Sequence, residues 1–162
     1  MHSSRPVSFA GADRLIVPWV AQRIGMAPED FRECTAMGVR MGDELLCGVV
    51  FNEFRPARFG SSMQATIVQE RPGWATRTTL RDMFRYPFEQ MGVVRLWVST
   101  SRRNRRARRL AERLGFRLEG VARRAWDGQT DAHILSMFPE ECRWTDRGRG
   151  QENGKEVRAE AA

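Results

Sequence analysis

The sequence is poor in the residues from which several kinds of site are built. Its 162 residues include two histidines, one tyrosine and three widely spaced cysteines, Cys34, Cys47 and Cys142. No Cys-x-x-Cys pair occurs, whereas zinc sites are normally assembled from closely spaced cysteines and histidines. We therefore expect no metal site, and we expect the three thiols to be reduced and packed in or near a core.

Long apolar stretches are absent as well. The sequence has no run of about 18 apolar residues that could cross a membrane. Its first residues, Met-His-Ser-Ser-Arg-Pro, lack the apolar segment of a secretory signal. We therefore expect a cytoplasmic protein with no membrane partner, and a chain of this length fits one domain.

Lysine is nearly absent, whereas arginine is abundant. The net charge is +7 and Lys155 is the only lysine, so the protein should attract anions such as nucleic acid, phosphates or an acidic acceptor. Ten arginines fall between residues 102 and 124. Three interpretations of this run are open. It is a solvated helix face, a surface that attracts phosphates and an acidic acceptor, or a nucleic-acid-binding helix. No helix-turn-helix, zinc-finger or RRM pattern accompanies it, so nucleic acid is the least favoured partner.

Hydrophobic periodicity predicts a mixture of helices and strands around one central sheet, an α+β domain. Residues 1–11 are expected to form a flexible leader, residues 12–144 the domain and residues 145–162 a disordered tail. The expected helices cover residues 13–25, residues 78–92 with a break near Arg85 caused by Pro87, and a segment from Asn104 to Gly115. The expected strands cover residues 35–41, 44–51, 64–70, 93–99, about 116–126, and 132–138.

The segment from Asn104 to Gly120 carries the most specific pattern, N-R-R-A-R-R-L-A-E-R-L-G-F-R-L-E-G. Its apolar residues recur at the spacing of one buried helix face, and Gly115 occupies the place of a left-handed C-cap. This order of strand, Asn, helix, Leu-Gly-Phe, strand and Glu-Gly resembles the second half of the GNAT superfamily of acyl-CoA-dependent acyltransferases. The resemblance covers residues 10–144. The motifs Phe-x-Tyr-Pro-Phe at 84–88 and Cys-Arg-Trp at 142–144 are similar to a phage and prophage branch, near the enzymes that acetylate ribosomal-protein N-termini.

The resemblance implies a GNAT fold, in which helices cover both faces of a mixed sheet and two parallel strands, here 64–70 and 93–99, splay apart. Acetyl-CoA is then the co-substrate, and its pantetheine arm pairs with one of the splayed strands. The family's pyrophosphate signature, Gln/Arg-x-x-Gly-x-Gly/Ala, falls on residues 70–75, where Glu70 departs from it. The residues expected to bind the cofactor are Arg71, Gly73, Trp74, Ala75, Thr76, Arg77 and Asn104.

Four of these residues also have a purely structural interpretation. Gly73 is alternatively a turn residue, Trp74 a buried anchor, Arg77 a solvated arginine at a helix start, and Asn104 a helix N-cap.

The catalytic pattern of the family is incomplete in this sequence. Where family members place a Tyr or a Ser that acts as general acid, this chain has Ala111 and Ala107, respectively, and no motif supports its single tyrosine, Tyr86, in that role. Glu70 and Glu53 are the candidate general bases, and each is alternatively a surface charge. The predicted function is N-acetyl transfer to a primary amine on a protein N-terminus or a small molecule, by a monomer or homodimer. The alternatives are a non-catalytic CoA-binding or assembly module and, less favoured, a basic nucleic-acid-binding protein.

Overall fold

The computed structural model describes residues 4–146, which form seven strands and three α-helices. The strands are β1 (Val7–Ala10), β2 (Thr35–Met41), β3 (Glu44–Ala57), β4 (Gly60–Gln69), β5 (Arg95–Ser101), β6 (Arg117–Ala122) and β7 (Ala132–Met137). The helices are α1 (Asp13–Ile24), α2 (Arg77–Arg85) and α3 (Arg105–Leu114). A π-helical turn, Tyr86–Gln90, continues α2.

All seven strands belong to one sheet, in the order β1-β2-β3-β4-β5-β7-β6. Every neighbouring pair is antiparallel except β4 and β5, which are parallel and are connected through α2. The predicted α+β class with a single mixed sheet is therefore confirmed.

The helices cover both faces of this sheet. Helix α1 packs through Val20 in a cluster that includes Val50 of β3, whereas Phe84 of α2 and Leu114 of α3 share a cluster with Val49. Neighbouring residues of a strand point to opposite faces, so α1 lies on one face and α2 and α3 lie on the other. The connections from β4 to β5 and from β5 to β6 each join parallel strands, and the right-handed sense that such connections take accounts for α2 and α3 lying on the same face.

The expectation of a flexible leader is wrong for Val7–Ala10, because these residues form β1 and pair with β2. Phe9 of β1 lies directly opposite Gly38, and a Cβ at Gly38 would come within 2.6 Å of the Phe9 ring. A four-residue strand gives too short an alternation to distinguish it from a loop in the sequence alone. At the other end, Thr145 is buried and Asp146 is exposed, whereas residues 147–162 of the expected tail lie outside the described residues.

The helix ends follow the local sequence. Gly25 and Gly115 take left-handed conformations, with φ of 73° and 110°, directly after α1 and α3. Helix α2 ends at Arg85, as Pro87 predicts, and the chain continues in the π-helical turn. Strand β3 is longer than expected, because it continues to Ala57 beyond a bulge and forms a hairpin with β4.

Candidate functional site

The parallel strands β4 and β5 pair with each other at only three positions. The paired residues are Ser62 with Arg95, Met63 with Leu96, and Gln64 with Trp97. Beyond these pairs β4 continues to Gln69 and β5 to Ser101, and the two strands diverge toward their carboxyl ends. The predicted splay of two parallel strands is therefore confirmed.

The divergence leaves main-chain polar groups of β4 facing the gap. The Val94 N–H donates to the Ser61 carbonyl (2.9 Å), so Ser61 directs its polar groups toward β5, whereas the Glu70 N–H donates to the Leu46 carbonyl of β3 (2.9 Å). Alternate residues of a strand direct their N–H and C=O groups to opposite edges. In a parallel ladder the pairing of Gln64 with Trp97 uses the Ala65 N–H. The groups that face the gap beyond the paired region are therefore the Ala65 C=O and the N–H and C=O groups of Ile67 and Gln69.

The gap is part of a cleft of about 730 Å³, a volume typical of small-molecule sites. Residues 65–69 of β4, together with Glu70 directly after it, form one wall and residues 98–101 of β5 form the other. Helix α3 adds Asn104, Leu110 and other residues along its length, and Arg23 and Ile24 at the end of α1 complete the lining with Trp126 from the β6–β7 connection. The cleft therefore runs between the strands and reaches both faces of the sheet.

Asn104 lies at the start of α3 and lines the cleft. Its Oδ1 accepts a hydrogen bond from the Ala107 N–H at 3.0 Å, so its predicted role as an N-cap is confirmed. The side-chain amide makes no hydrogen bond to another residue within 4–146. One side chain thus caps the helix while leaving a donor available to a bound molecule, although the binding role remains a prediction.

Ala107 and Ala111, the positions at which the family resemblance predicts a catalytic Ser and Tyr, both line the cleft. Tyr86 does not compensate for them, since it does not line the cleft and packs half-buried against the core, with its ring 5.0 Å from that of Phe51. Sequence reasoning missed the hydroxyl groups of β5. Thr100 lines the cleft, is 7% exposed, and within the described chain its Oγ1 lacks a hydrogen-bond partner. The run Ser-Thr-Ser at the end of β5 was the available signal.

Glu70 is the one carboxylate among the described cleft-lining residues. It accepts a hydrogen bond from Arg23 Nε at 2.7 Å, and the Arg23 guanidinium also lies 3.8 Å from the centre of the Trp19 ring. This hydrogen bond, with the nearby arginine charges, holds the pKa of Glu70 below its usual range. Glu70 is consequently ionised at neutral pH, and the arginine weakens it as a proton acceptor.

The second candidate base lies elsewhere. Glu53 occupies the bulge of β3 with a left-handed φ of 54°, and its carboxylate pairs with Arg55 at 3.0 Å. Glu53 does not line the cleft. The structure therefore does not bring the two predicted catalytic carboxylates together in this cleft.

The loop predicted to bind phosphate follows directly after β4. Arg71 is engaged by Glu44, whose two carboxylate oxygens lie 2.7 and 2.9 Å from the same guanidinium nitrogen. Trp74 is fully buried, and its indole N–H donates to Gln69 Oε1 at 2.7 Å, so its side chain is a structural anchor. Gly73 is exposed, with a φ of 92° that favours glycine.

Thr76 caps α2 by accepting a hydrogen bond from the Thr79 N–H at 3.2 Å. The exposed residues Ala75 and Arg77 flank this cap, and within residues 4–146 their backbone N–H groups have no acceptor. Such groups at a helix start can bind an anion. None of the predicted residues of this loop, 71–77, is part of the cleft lining, so their cofactor role stays a prediction.

The described residues give no support for a metal site, a reactive buried cysteine or a membrane-spanning helix. Residues 4–146 contain no group of three or more histidine, cysteine and acidic residues that could hold a metal ion. Cys47 and Cys142 are buried, and burial raises the pKa of each thiol. No helix in this part of the chain combines the length and the apolar character needed to cross a bilayer.

No protein-family model matches the sequence, and no curated protein matches it. Solved structures do resemble it. A variant of the spermidine N-acetyltransferase SpeG from Vibrio cholerae has a TM-score of 0.61 and 16% identity, covering 84% of this chain and 95% of that one. The ribosomal-protein-S5-alanine acetyltransferase from Vibrio fischeri has a TM-score of 0.62 and 12% identity, covering 89% and 97%. At these identities the likeness shows the fold, which is the GNAT fold that the sequence predicted.

Proposed function

We propose that this chain is an N-acetyltransferase that transfers an acetyl group from acetyl-CoA to a primary amine, on a protein N-terminus or on a small molecule. The observation that carries the proposal is the early parting of β4 and β5, which opens a cleft lined by unpaired backbone groups. The two similar enzymes described above are named for amine acceptors, spermidine and an alanine of a ribosomal protein, which supports an amine as the acceptor class. A cytoplasmic location and a monomeric or homodimeric state remain predictions.

The cleft suits the chemistry of an acyl-CoA. Its pantetheine arm contains two amides, and the N–H and C=O groups of Ile67 and Gln69, with the C=O of Ala65, are available to pair with such an arm as a further strand would. When bound, the co-substrate supplies the thioester whose carbonyl carbon the amine attacks. The chain's own contribution is to hold the arm between β4 and β5, with the Asn104 amide as an additional donor and with backbone N–H groups of β4 available to polarise a carbonyl.

Glu70 is the proposed proton acceptor for the attacking amine, directly or through a water molecule, because it is the carboxylate in the described cleft lining. Its low pKa makes it a weak base, so we expect slow turnover. At the positions of Ala107 and Ala111 the cleft wall offers methyl groups in place of an acid. The departing thiolate therefore receives no proton from these two positions.

Calorimetry with acetyl-CoA and an assay of thiol release with a panel of amines and peptides test the proposal together. Glu70→Gln should lower kcat and leave the acetyl-CoA affinity within about twofold, whereas the matched control Glu53→Gln should change neither. An absence of binding heat at millimolar acetyl-CoA would contradict the proposal. Equal activity in wild type and Glu70→Gln would remove Glu70 from the mechanism.

A second candidate function is a non-catalytic CoA-binding module, and the alanines at positions 107 and 111 favour it. This candidate predicts normal binding of acetyl-CoA without thiol release above the uncatalysed rate, whichever amine is supplied. Amine-dependent thiol release that Glu70→Gln reduces would exclude it.

A further inference from the structure

Two buried polar side chains meet on neighbouring strands beside the cleft. Thr100 of β5 lies directly opposite His133 of β7 in the antiparallel register. Thr100 is 7% exposed and lines the cleft, whereas His133 is 8% exposed and does not. Neither Thr100 Oγ1 nor His133 Nδ1 has a hydrogen-bond partner among residues 4–146. Two unpartnered buried atoms are therefore neighbours at the cleft wall.

Both side chains lie on the face of the sheet that α3 covers. Val98, two residues before Thr100, and Leu135, two residues after His133, belong to the core cluster beneath α3. Residues two apart on a strand share a face, and so do directly opposite residues of neighbouring strands. The Thr100 hydroxyl therefore lines the cleft on the side of α3, where Ala107 offers a methyl group.

A chain of two hydrogen bonds satisfies both atoms at once. Directly opposite residues of antiparallel strands have Cβ atoms about 4.5–5.5 Å apart, so side-chain rotation brings Thr100 Oγ1 within reach of His133 Nδ1. With a proton on Nδ1, His133 donates to Thr100 Oγ1, and the Thr100 hydroxyl donates its own proton to a ligand in the cleft. Buried polar groups cost free energy when they are unpaired, so a ligand that supplies an acceptor favours this arrangement.

We infer that the Thr100 hydroxyl donates a hydrogen bond to the sulfur of the departing CoA thiolate, and that His133 is a positioning residue that orients this hydroxyl. The inference rests on the proposed function, to which it adds the group that stabilises the leaving thiolate. In this step the amine nitrogen bonds to the thioester carbonyl carbon, and the amine's proton passes to Glu70 as proposed above. The bond between carbon and sulfur breaks, and its electron pair stays on the sulfur. Thr100 and His133 keep their protons, and water later protonates the released thiolate.

The position of Thr100 suits a developing negative charge. Donors that are fixed in a site shielded from water stabilise such a charge far more than donors in bulk water do. Thr100 is buried, uncharged and part of a strand that pairs with β7 up to Ser101, so its backbone is held in place. Glu70, the carboxylate of the described cleft lining, would repel the same charge.

Thiol release from acetyl-CoA in the presence of an amine tests the hydroxyl. Thr100→Val keeps the shape of the side chain, and it should lower kcat about ten- to hundredfold, whereas Thr100→Ser should stay within about threefold of wild type. Thr66→Val is the matched control, because Thr66 lines the cleft on the face of α1, and it should behave like wild type. In urea unfolding T100V should be at least as stable as wild type, since it removes an unpartnered buried hydroxyl.

Two variants of His133 test its positioning role. His133→Asn keeps an N–H near the position of Nδ1, whereas His133→Leu removes it. H133L should lower kcat about three- to tenfold with the amine KM within about twofold of wild type, and H133N should recover most of that loss. The double variant T100V/H133L should be no slower than T100V, because His133 acts through Thr100. Additive losses in the double variant would overturn the role of His133.

Calorimetry at about pH 9, where an ordinary thiol is largely ionised, gives a readout that needs no turnover. T100V should bind CoA about five- to tenfold more weakly than wild type. It should bind desulfo-CoA, in which hydrogen replaces the thiol, within about twofold of wild type. Equal losses for the two ligands would place the hydroxyl on another part of the co-substrate and overturn the inference.

The outcomes separate the inference from the proposed function. Amine-dependent thiol release that is equally fast in wild type and T100V overturns the inference and leaves the proposed function standing. If wild type binds acetyl-CoA but releases no thiol, acetyl transfer fails, and the comparison of CoA with desulfo-CoA still decides whether Thr100 contacts the sulfur. If wild type binds neither acetyl-CoA nor CoA, both fail.

Discussion

Asn104 can be dissected because its two proposed roles use different atoms of one side chain. Oδ1 caps α3 by accepting the Ala107 N–H at 3.0 Å, whereas the side-chain amide is available to a ligand in the cleft. Asn104→Ala removes both groups. Asn104→Ser keeps an oxygen for the cap and removes the amide, so comparing the two variants assigns each effect to one group.

The expected magnitudes follow from these contacts. Loss of the cap should lower the free energy of unfolding of Asn104→Ala by about 1 kcal/mol. That corresponds to a fall in Tm of about 2–4 °C for a domain of this size. Asn104→Ser should stay within about 0.5 kcal/mol of wild type. Both variants should lose about two- to tenfold in acetyl-CoA affinity, because each lacks one hydrogen-bond donor worth about 0.5–1.5 kcal/mol.

Urea unfolding gives the stabilities and calorimetry gives the affinities. Asn104→Asp extends the series, because it keeps the cap oxygen and adds a negative charge that the helix dipole stabilises. Asn104→Asp should therefore be at least as stable as wild type and bind acetyl-CoA the most weakly of the series. Wild-type affinity in all three variants would refute a binding role for Asn104. Wild-type stability in Asn104→Ala would refute the cap.

Three further predictions concern other parts of the structure. Arg23→Gln should raise the pKa of Glu70 toward its ordinary value, as measured by NMR of the side-chain carboxyl carbon, and an unchanged titration would contradict the ion pair. In wild type the ion pair stabilises the fold at pH values above the unfolded-state pKa of Glu70, and this stabilisation is lost as the pH falls through the lower folded-state pKa. Trp74→Ala should destabilise the domain by about 3–5 kcal/mol in urea unfolding, since the ring is fully buried, and a loss below about 1 kcal/mol would show that the ring is not an anchor. Ellman's reagent should react only with Cys34 in the folded protein, and slowly, because burial raises the pKa of that half-buried thiol. After unfolding it should react with all three thiols, whereas rapid reaction of all three in the folded protein would contradict the packing.

Helix α3 was predictable because its signals are local. Asn104 and Gly115 mark its two ends, and the apolar residues between them recur at helical spacing, so a stretch of about a dozen residues contains the whole pattern. The break of α2 at Pro87 is local in the same sense. The prediction that β4 and β5 diverge came from the family resemblance and not from periodicity, because no sequence pattern within either strand indicates where its pairing with the other strand stops.

The parts of the site that sequence reasoning missed depend on residues far apart in the chain. Glu70 is 47 positions from Arg23, and Arg71 is 27 positions from Glu44, yet these pairs decide which charges remain available in and beside the cleft. A charged residue in a sequence looks the same whether or not a distant partner neutralises it. The sequence could therefore nominate Glu70 and Arg71, but their ion pairs became visible only in the folded chain.

The gap between β4 and β5 can persist without a ligand because each strand is held along its other edge. Strand β4 pairs with β3 from Gly60 to Gln69, and β5 pairs with β7 from Leu96 to Ser101. The unpaired groups of β4 face a cleft that water can enter, so they are not left buried without partners. The cleft is therefore formed before a guest binds. An extended guest then replaces water without separating strands, so its affinity measures recognition by the cleft and includes little cost of opening the sheet.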